Sequence, residues 1–328
     1  MVACPILVIT ALISCQKNDD VARDIAAKLM STLIMESETP DLFQNLDNQL
    51  RGFIDDGKIK ETQNTANSPT EEELTVADEN ANKGPELARA LEVKADLNRQ
   101  LEEYDEAISH YEEALSLLGT DSEDAESLGR ICASLAVIHD IQGNTMGAKS
   151  HYERAIACFE RLTPPALLDV ADLSNNLAFI YEAEDNFDKA ETLLLKALKI
   201  THETLGEKHE QTAALYNNVG SLYFKAEYDE QARKMHMMAL DARLEIFGDH
   251  HLETAQSHGN LALVFVKSND LAAAKRHFDR ALDAYEGNLA EGRDDYEIVA
   301  ANYRDVLASI GDDKAVAALE ERTKAKLS

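Results

Sequence analysis

Tryptophan is missing from this 328-residue chain, aromatics of all kinds reach only 6%, and there are just 6 prolines and 14 glycines. A core without tryptophan has to be made by leucine and alanine packing at close range. So little proline and glycine suits an ordered, helix-rich chain. The four cysteines, Cys4, Cys15, Cys132 and Cys158, form no Cys-x-x-Cys pair, which removes zinc-ribbon and thioredoxin-like sites. Positive charge is scarce too, with 32 Lys+Arg against 61 Asp+Glu and a net charge of −29. Such a field repels phosphate backbones and excludes nucleic acid as a partner. No His-Glu-x-x-His, Gly-x-Ser-x-Gly, P-loop or dinucleotide-binding glycine pattern occurs, so neither a catalytic centre nor a cofactor is expected.

What the chain does have is a period of 42 residues. Ala136, Ala178, Gly220 and Ala262 form one series; Ala148, Ala190, Ala232 and Ala274 form a second; Ala155, Ala197, Ala239 and Ala281 form a third. A fixed period of this size means stacked supersecondary units, none able to bury its own apolar face alone. The first unit is offset by 41 and reads Ala95, Ala107 and Ala114. Small residues are needed where two helices cross closely, because a larger side chain would push them apart.

The pattern Leu177, Ala178, Tyr181, Ala190, Ala197 resembles the tetratricopeptide repeat, and Val219, Gly220, Tyr223, Ala232, Ala239 and Leu261, Ala262, Phe265, Ala274, Ala281 repeat it. A second unit, Leu135, Ala136, His139, Ala148, Ala155, follows it less closely. The period exceeds the usual 34 and is similar to the longer repeats of kinesin light chains, which end in Leu-Gly-x-x-His-x-x-Thr-Ala linkers. Here these are Leu205-Gly206 with His209, Thr212 and Ala213, and Phe247-Gly248 with His251, Thr254 and Ala255. The glycines suit positions just past a helix end and the threonines suit N-caps of the next helix. The resemblance implies an all-α fold: a right-handed α-α superhelix of about five helix pairs closed by a C-terminal capping pair. Residues 84–328 form this array, starting near Pro85 and ending in a degenerate sixth unit in which Arg304 replaces the small residue.

Ahead of the array, residues 1–15 (MVACPILVITALISC) form an apolar run too short to span a bilayer. They read as a signal peptide, and Leu12-Ile13-Ser14-Cys15 resembles the bacterial lipobox, although no Lys or Arg precedes the run. That resemblance implies lipidation at Cys15. Residues 16–56 read as an amphipathic helical hairpin, with Val21, Ile25, Leu29 and Leu33 as the apolar face of the first helix and Leu42, Leu46, Leu50, Phe53 and Ile54 as that of the second. Residues 57–83, rich in Asn, Thr and Glu, read as a disordered linker.

The resemblance also implies the function: a non-catalytic surface for another protein or an extended peptide, on the concave side lined by first helices. Asn176, Asn218, Asn260 and Asn302 stand two residues before the small-residue position in four successive units. In tetratricopeptide arrays an Asn there contacts peptide backbone. Its side chain offers a donor and an acceptor to any amide. Lys225 and Lys267, late on two first helices, would attract acidic groups of such a ligand. The histidines are spread one per unit or in separate linkers, too far apart to converge on a metal. If the chain is exported, antiparallel helix pairing would bring Cys132 near Cys158 and permit a disulfide. Two settings follow: a lipid-anchored scaffold of the cell envelope, touching the membrane only through its anchor, or a cytoplasmic adaptor resembling the cargo-binding region of a kinesin light chain.

Overall fold

The computed structural model describes residues 71–119 and 124–327. The segments 1–15 and 16–56, Cys15 with them, and the linker up to residue 70 lie outside the described residues. Among those described, every regular element is a helix. Two compact units divide the chain, one up to Ser122 and one from Glu123 onward.

The first unit contains a helical hairpin, α1 (Glu71–Gln100) and α2 (Tyr104–Leu118), closed on Ala95, Ala107 and Ala114, all without exposed surface. Helix α1 begins well before Pro85, which lies inside it instead of in its first turn. The stretch Glu71–Lys83, expected to be irregular, is therefore helical here.

The second unit is a solenoid of five helix pairs. The pairs are α3 (Ala125–Ile141) with α4 (Thr145–Arg161), α5 (Leu167–Ala183) with α6 (Phe187–Leu205), and α7 (Glu210–Lys225) with α8 (Asp229–Phe247). They continue with α9 (Leu252–Lys267) and α10 (Leu271–Glu286), then α11 (Leu289–Ser309) and α12 (Asp313–Leu327). Each helix packs on the next, and the first helices α7, α9 and α11 also touch in sequence. The three alanine series supply the close crossings, and nearly all are fully buried.

One turn recurs inside every pair. Glu102, Gly143, Asp185, Glu227, Asn269 and Gly311 all take positive φ, between 58° and 73°. The next residue's N–H returns to the carbonyl five positions back, as in Asn144 to His139 and Tyr228 to Tyr223, both 2.8 Å. This closes the first helix with a left-handed cap. That next residue then caps the second helix through its side chain at Asn144, Asn186 and Asp270. Tyr228 stands at the same place and makes no such bond.

The linkers between pairs correct the expectation for the threonines. The N-caps are His209 and His251, whose Nδ1 atoms accept the N–H groups of Gln211 (3.3 Å) and Glu253 (3.2 Å). Thr212 and Thr254 lie inside the helices, fully buried, and donate at 2.8 Å to the carbonyls of Gly206 and Gly248. Each threonine thus satisfies a carbonyl orphaned at the end of the preceding helix.

The last pair departs from the others. Helix α11 kinks at Gly292, and Arg304 is exposed where other units bury a small residue. Arg322 and Lys326 of α12 reach α10, where Glu286 meets them at 2.6 and 3.1 Å and Asp283 also pairs with Arg322.

Candidate protein-binding face

The first helices of the second unit carry the expected asparagines, and the fold ties them together. Asn218 on α7 donates from Nδ2 to Oδ1 of Asn175 on α5, at 2.9 Å. Asn260 on α9 does the same to Asn217 on α7, at 2.7 Å. Asn175 in turn donates to Oδ1 of Asn176 at 3.4 Å, and Asn176 hydrogen-bonds the Tyr152 hydroxyl of α4. Asn176, Asn218 and Asn260 are all half-buried, as is Asn302 at the equivalent place on α11. The neighbours Asn175 and Asn217 are the acceptors that complete this string. Their signal was present: an asparagine immediately precedes the ladder position in two consecutive units.

An amide has more hydrogen-bonding capacity than one such bond consumes. The string therefore fixes the orientation of each ladder side chain while leaving it half in solvent. Half-burial lends such a group strength, because fewer waters compete for it.

Both lysines are engaged within the array. Lys225 is exposed and pairs with Glu182 of α5, a carboxylate with only 8% of its side chain accessible. Lys267 meets Asp229 at 2.9 Å, donates to the Phe224 carbonyl at 3.4 Å and lies 5.0 Å above the Phe224 ring. Beside Lys225 a recess of about 480 Å³ opens between α5 and α7, walled by Phe179, Glu182, Ala183 and Phe187. Phe179 is 45% exposed. It directly follows the small residue Ala178, where the next unit has Ser221, so an aromatic at this point was legible as a departure from the repeat.

The opposite sides of the first helices hold the stack. Tyr181 donates to Glu153 at 3.0 Å and Tyr223 to Glu191 at 2.8 Å, each on the preceding second helix. Burial, reinforced by the Glu191 carboxylate, pushes the Tyr223 phenol up to about 12.

Cys132 and Cys158 are both buried free thiols. Desolvation pushes the Cys132 thiol up to about 11 and raises that of Cys158 as well, so both are unreactive as nucleophiles. Among the described residues no three His, Cys, Asp or Glu side chains converge on a common point, and no helix is long and apolar enough to cross a membrane.

The family model described as tetratricopeptide repeat matches residues 86–161, 169–245 and 215–287. The chain belongs to the tetratricopeptide repeat family. Its curated relatives include Protein KINESIN LIGHT CHAIN-RELATED 3 of Arabidopsis thaliana, 31% identical over 113 residues. That match takes in 33% of this chain and 17% of the plant protein's length. Among solved structures, BtubC (BKLC) from P. vanneervenii is 25% identical with a TM-score of 0.56, covering 76% of this chain and 92% of that one. A putative kinesin light chain repeat structure from Podosopora anserina is 16% identical with a TM-score of 0.52, covering 62% and 97%. The latter likeness is one of fold. The tetratricopeptide array is thus a kinesin-light-chain-like solenoid, a type of fold that binds protein partners and is not typically enzymatic.

Proposed function

We propose that this protein is a non-catalytic scaffold that takes an extended segment of a partner protein along the face of its first helices. The observation that carries this reading is the asparagine string. Asn218 and Asn260 are held in one orientation by Asn175 and Asn217, yet remain half in solvent. First helices of consecutive units lie about 10 Å apart and an extended chain advances about 3.3 Å per residue. Such a ladder would therefore meet every third backbone amide. Phe179 beside Lys225 offers an apolar contact next to a cation for the ligand's side chains.

The test compares a triple replacement with a double one. Asn176, Asn218 and Asn260 changed to Ala should weaken a partner captured from native membranes by one to three powers of ten, at about 0.5–1.5 kcal/mol per lost bond. Melting temperature should hardly move. A large loss of stability with unchanged affinity per folded molecule would make the string purely structural. Changing Asn175 and Asn217 alone separates orientation from contact, since these two would touch no ligand.

The setting we favour is the cell envelope, with a lipid on Cys15 after removal of residues 1–14; the apolar run ending at Leu12-Ile13-Ser14-Cys15 supports it. Fatty-acid labelling lost in Cys15→Ser would support this, whereas fully cytosolic, unlabelled protein would dispose of it. The second setting, a cytoplasmic adaptor, is favoured by the 31% identity to a kinesin-light-chain-related protein and is the outcome if labelling fails.

A further inference from the structure

The helix pair α9 and α10, the fifth repeat unit, holds a feature that no other unit repeats among the described residues. His258 on α9 is 2% exposed, and its Nδ1 lies 2.9 Å from Nδ1 of His277 on α10. The ring of Phe265 stacks on His277 with centroids 5.3 Å apart. At the positions of these two histidines, unit three carries Ser174 and Leu193, and unit four Tyr216 and Met235. Unit two has His151 but Cys132 opposite it.

Two imidazole nitrogens at 2.9 Å share a single proton, one donating and the other accepting. The far side of His258 is enclosed but not hydrogen-bonded. Its Nε2 is buried without a hydrogen-bond partner, and the nearest acceptor, Asp249 Oδ1, stands 3.7 Å away. Asp249 belongs to the linker joining units four and five and meets Arg280 of α10 at 3.4 Å. The charged groups acting on the pair are thus Asp249 from the linker with Arg276 and Arg280 from α10. Helix α8, which also packs here, brings the Arg243 guanidinium, bonded to Ser257 beside His258 and paired with Glu253.

We infer that this pair is a proton-operated catch: unit five stays closed while both rings are neutral and opens locally as the medium turns acidic. A second proton between the rings would oppose two N–H groups at contact distance, with His258 cut off from water and the positive charges of Arg276 and Arg280 acting on the pair. Protons are therefore taken up once α9 and α10 separate and water reaches the rings. Burial lowers both titrations in the closed state, most clearly for His277, which is held to about 4. Freed imidazoles titrate near 6.5. The closed state is accordingly fully favoured above about pH 6.5 and loses ground as pH falls towards 4. At pH 5 the opening should be favoured on the order of tenfold or more over its value at pH 7.5. Because α9 carries Asn260 and Lys267, acid would also remove one rung of the binding face; that consequence, unlike the opening itself, rests on the function proposed above.

Hydrogen–deuterium exchange of the full chain, read by segment and corrected for intrinsic rate, tests the catch. Between pH 7.5 and 5.0 opening across α9 and α10 should rise at least tenfold more than across α5 and α6. His277→Leu and His258→Ser, which install the residues of unit three, should each erase that excess; using both covers the failure of either to fold. Equal opening at the two pH values, or a full acid response in both variants, overturns the proposal. If α9 and α10 open but a captured partner binds equally at both pH values, the catch stands and the binding face falls.

Discussion

His236 of α8 occupies the space that a side chain at Gly220 of α7 would need: a Cβ built on Gly220 falls 2.8 Å from the imidazole ring. The other units pair an alanine with a different partner at these places, Ala178 with Leu194 and Ala262 with Phe278. Glycine is here the complement of a buried histidine, at a site where helix propensity alone would favour alanine.

Gly220→Ala should therefore destabilise the array by about 1–3 kcal/mol despite its better propensity, because the overpacked ring is 2% exposed and has nowhere to go. Adding His236→Leu, which recreates the pair of unit three, should recover most of the loss. Urea denaturation of both single variants and the double gives the coupling. A coupling below about 0.5 kcal/mol would mean that the ring simply moves aside.

His236 also fixes a pH dependence. Desolvation, followed by the nearby Arg243 guanidinium, holds its imidazole at about 4, against 6.5 in an unfolded chain. A depressed histidine stabilises fully above pH 6.5, and that contribution drains away as pH falls through 4. Near pH 5 the wild type should have lost about 2 kcal/mol on this account. The difference between the stability–pH curves of wild type and His236→Leu isolates it, and parallel curves would refute it.

The recurring turn yields two stabilising changes in unit four. Glu227 sits at φ 64°, a conformation costing roughly 1 kcal/mol for a residue with a Cβ. Unit two uses Gly143 there, and Glu227→Gly should raise the melting temperature. Tyr228, 54% exposed and without a capping bond, should gain about 1 kcal/mol as Tyr228→Asn, matching Asn144. A fall in melting temperature for Tyr228→Asn would show that the Tyr223–Tyr228 ring contact outweighs the cap, and a fall for Glu227→Gly would show that the positive φ carries no cost there.

Thr254 connects a linker to a helix through its bond to the Gly248 carbonyl. Thr254→Val keeps the shape and removes only the donor, leaving the carbonyl of the half-buried Gly248 without that bond, and should cost about 0.5–1.5 kcal/mol. His251→Ala removes the neighbouring N-cap from an exposed position and should cost about 0.5–2 kcal/mol. Thermal unfolding of the two variants ranks them. If only the histidine matters, the threonine is a space-filler.

The sequence by itself determined the repeat, the class of fold and the face on which binding is proposed. All three follow from spacing: alanine every 42 residues marks close crossings, and an asparagine at constant offset from them must share one side of successive helices. Spacing also showed the linkers Gly206–Thr212 and Gly248–Thr254, but not which residue caps, because His and Thr both carry suitable acceptors. Only the tertiary structure decided that His209 caps and Thr212 turns back. Nor could a one-dimensional pattern tell that Asn175 and Asn217, visible though they are in the repeat, are the acceptors that hold the ladder, that Arg322 grips Glu286 across helices, or that Gly220 exists for His236. Each of these is a contact between side chains one helix or one repeat apart. Period fixes which positions face a neighbour; only the packed rotamers decide which atoms meet.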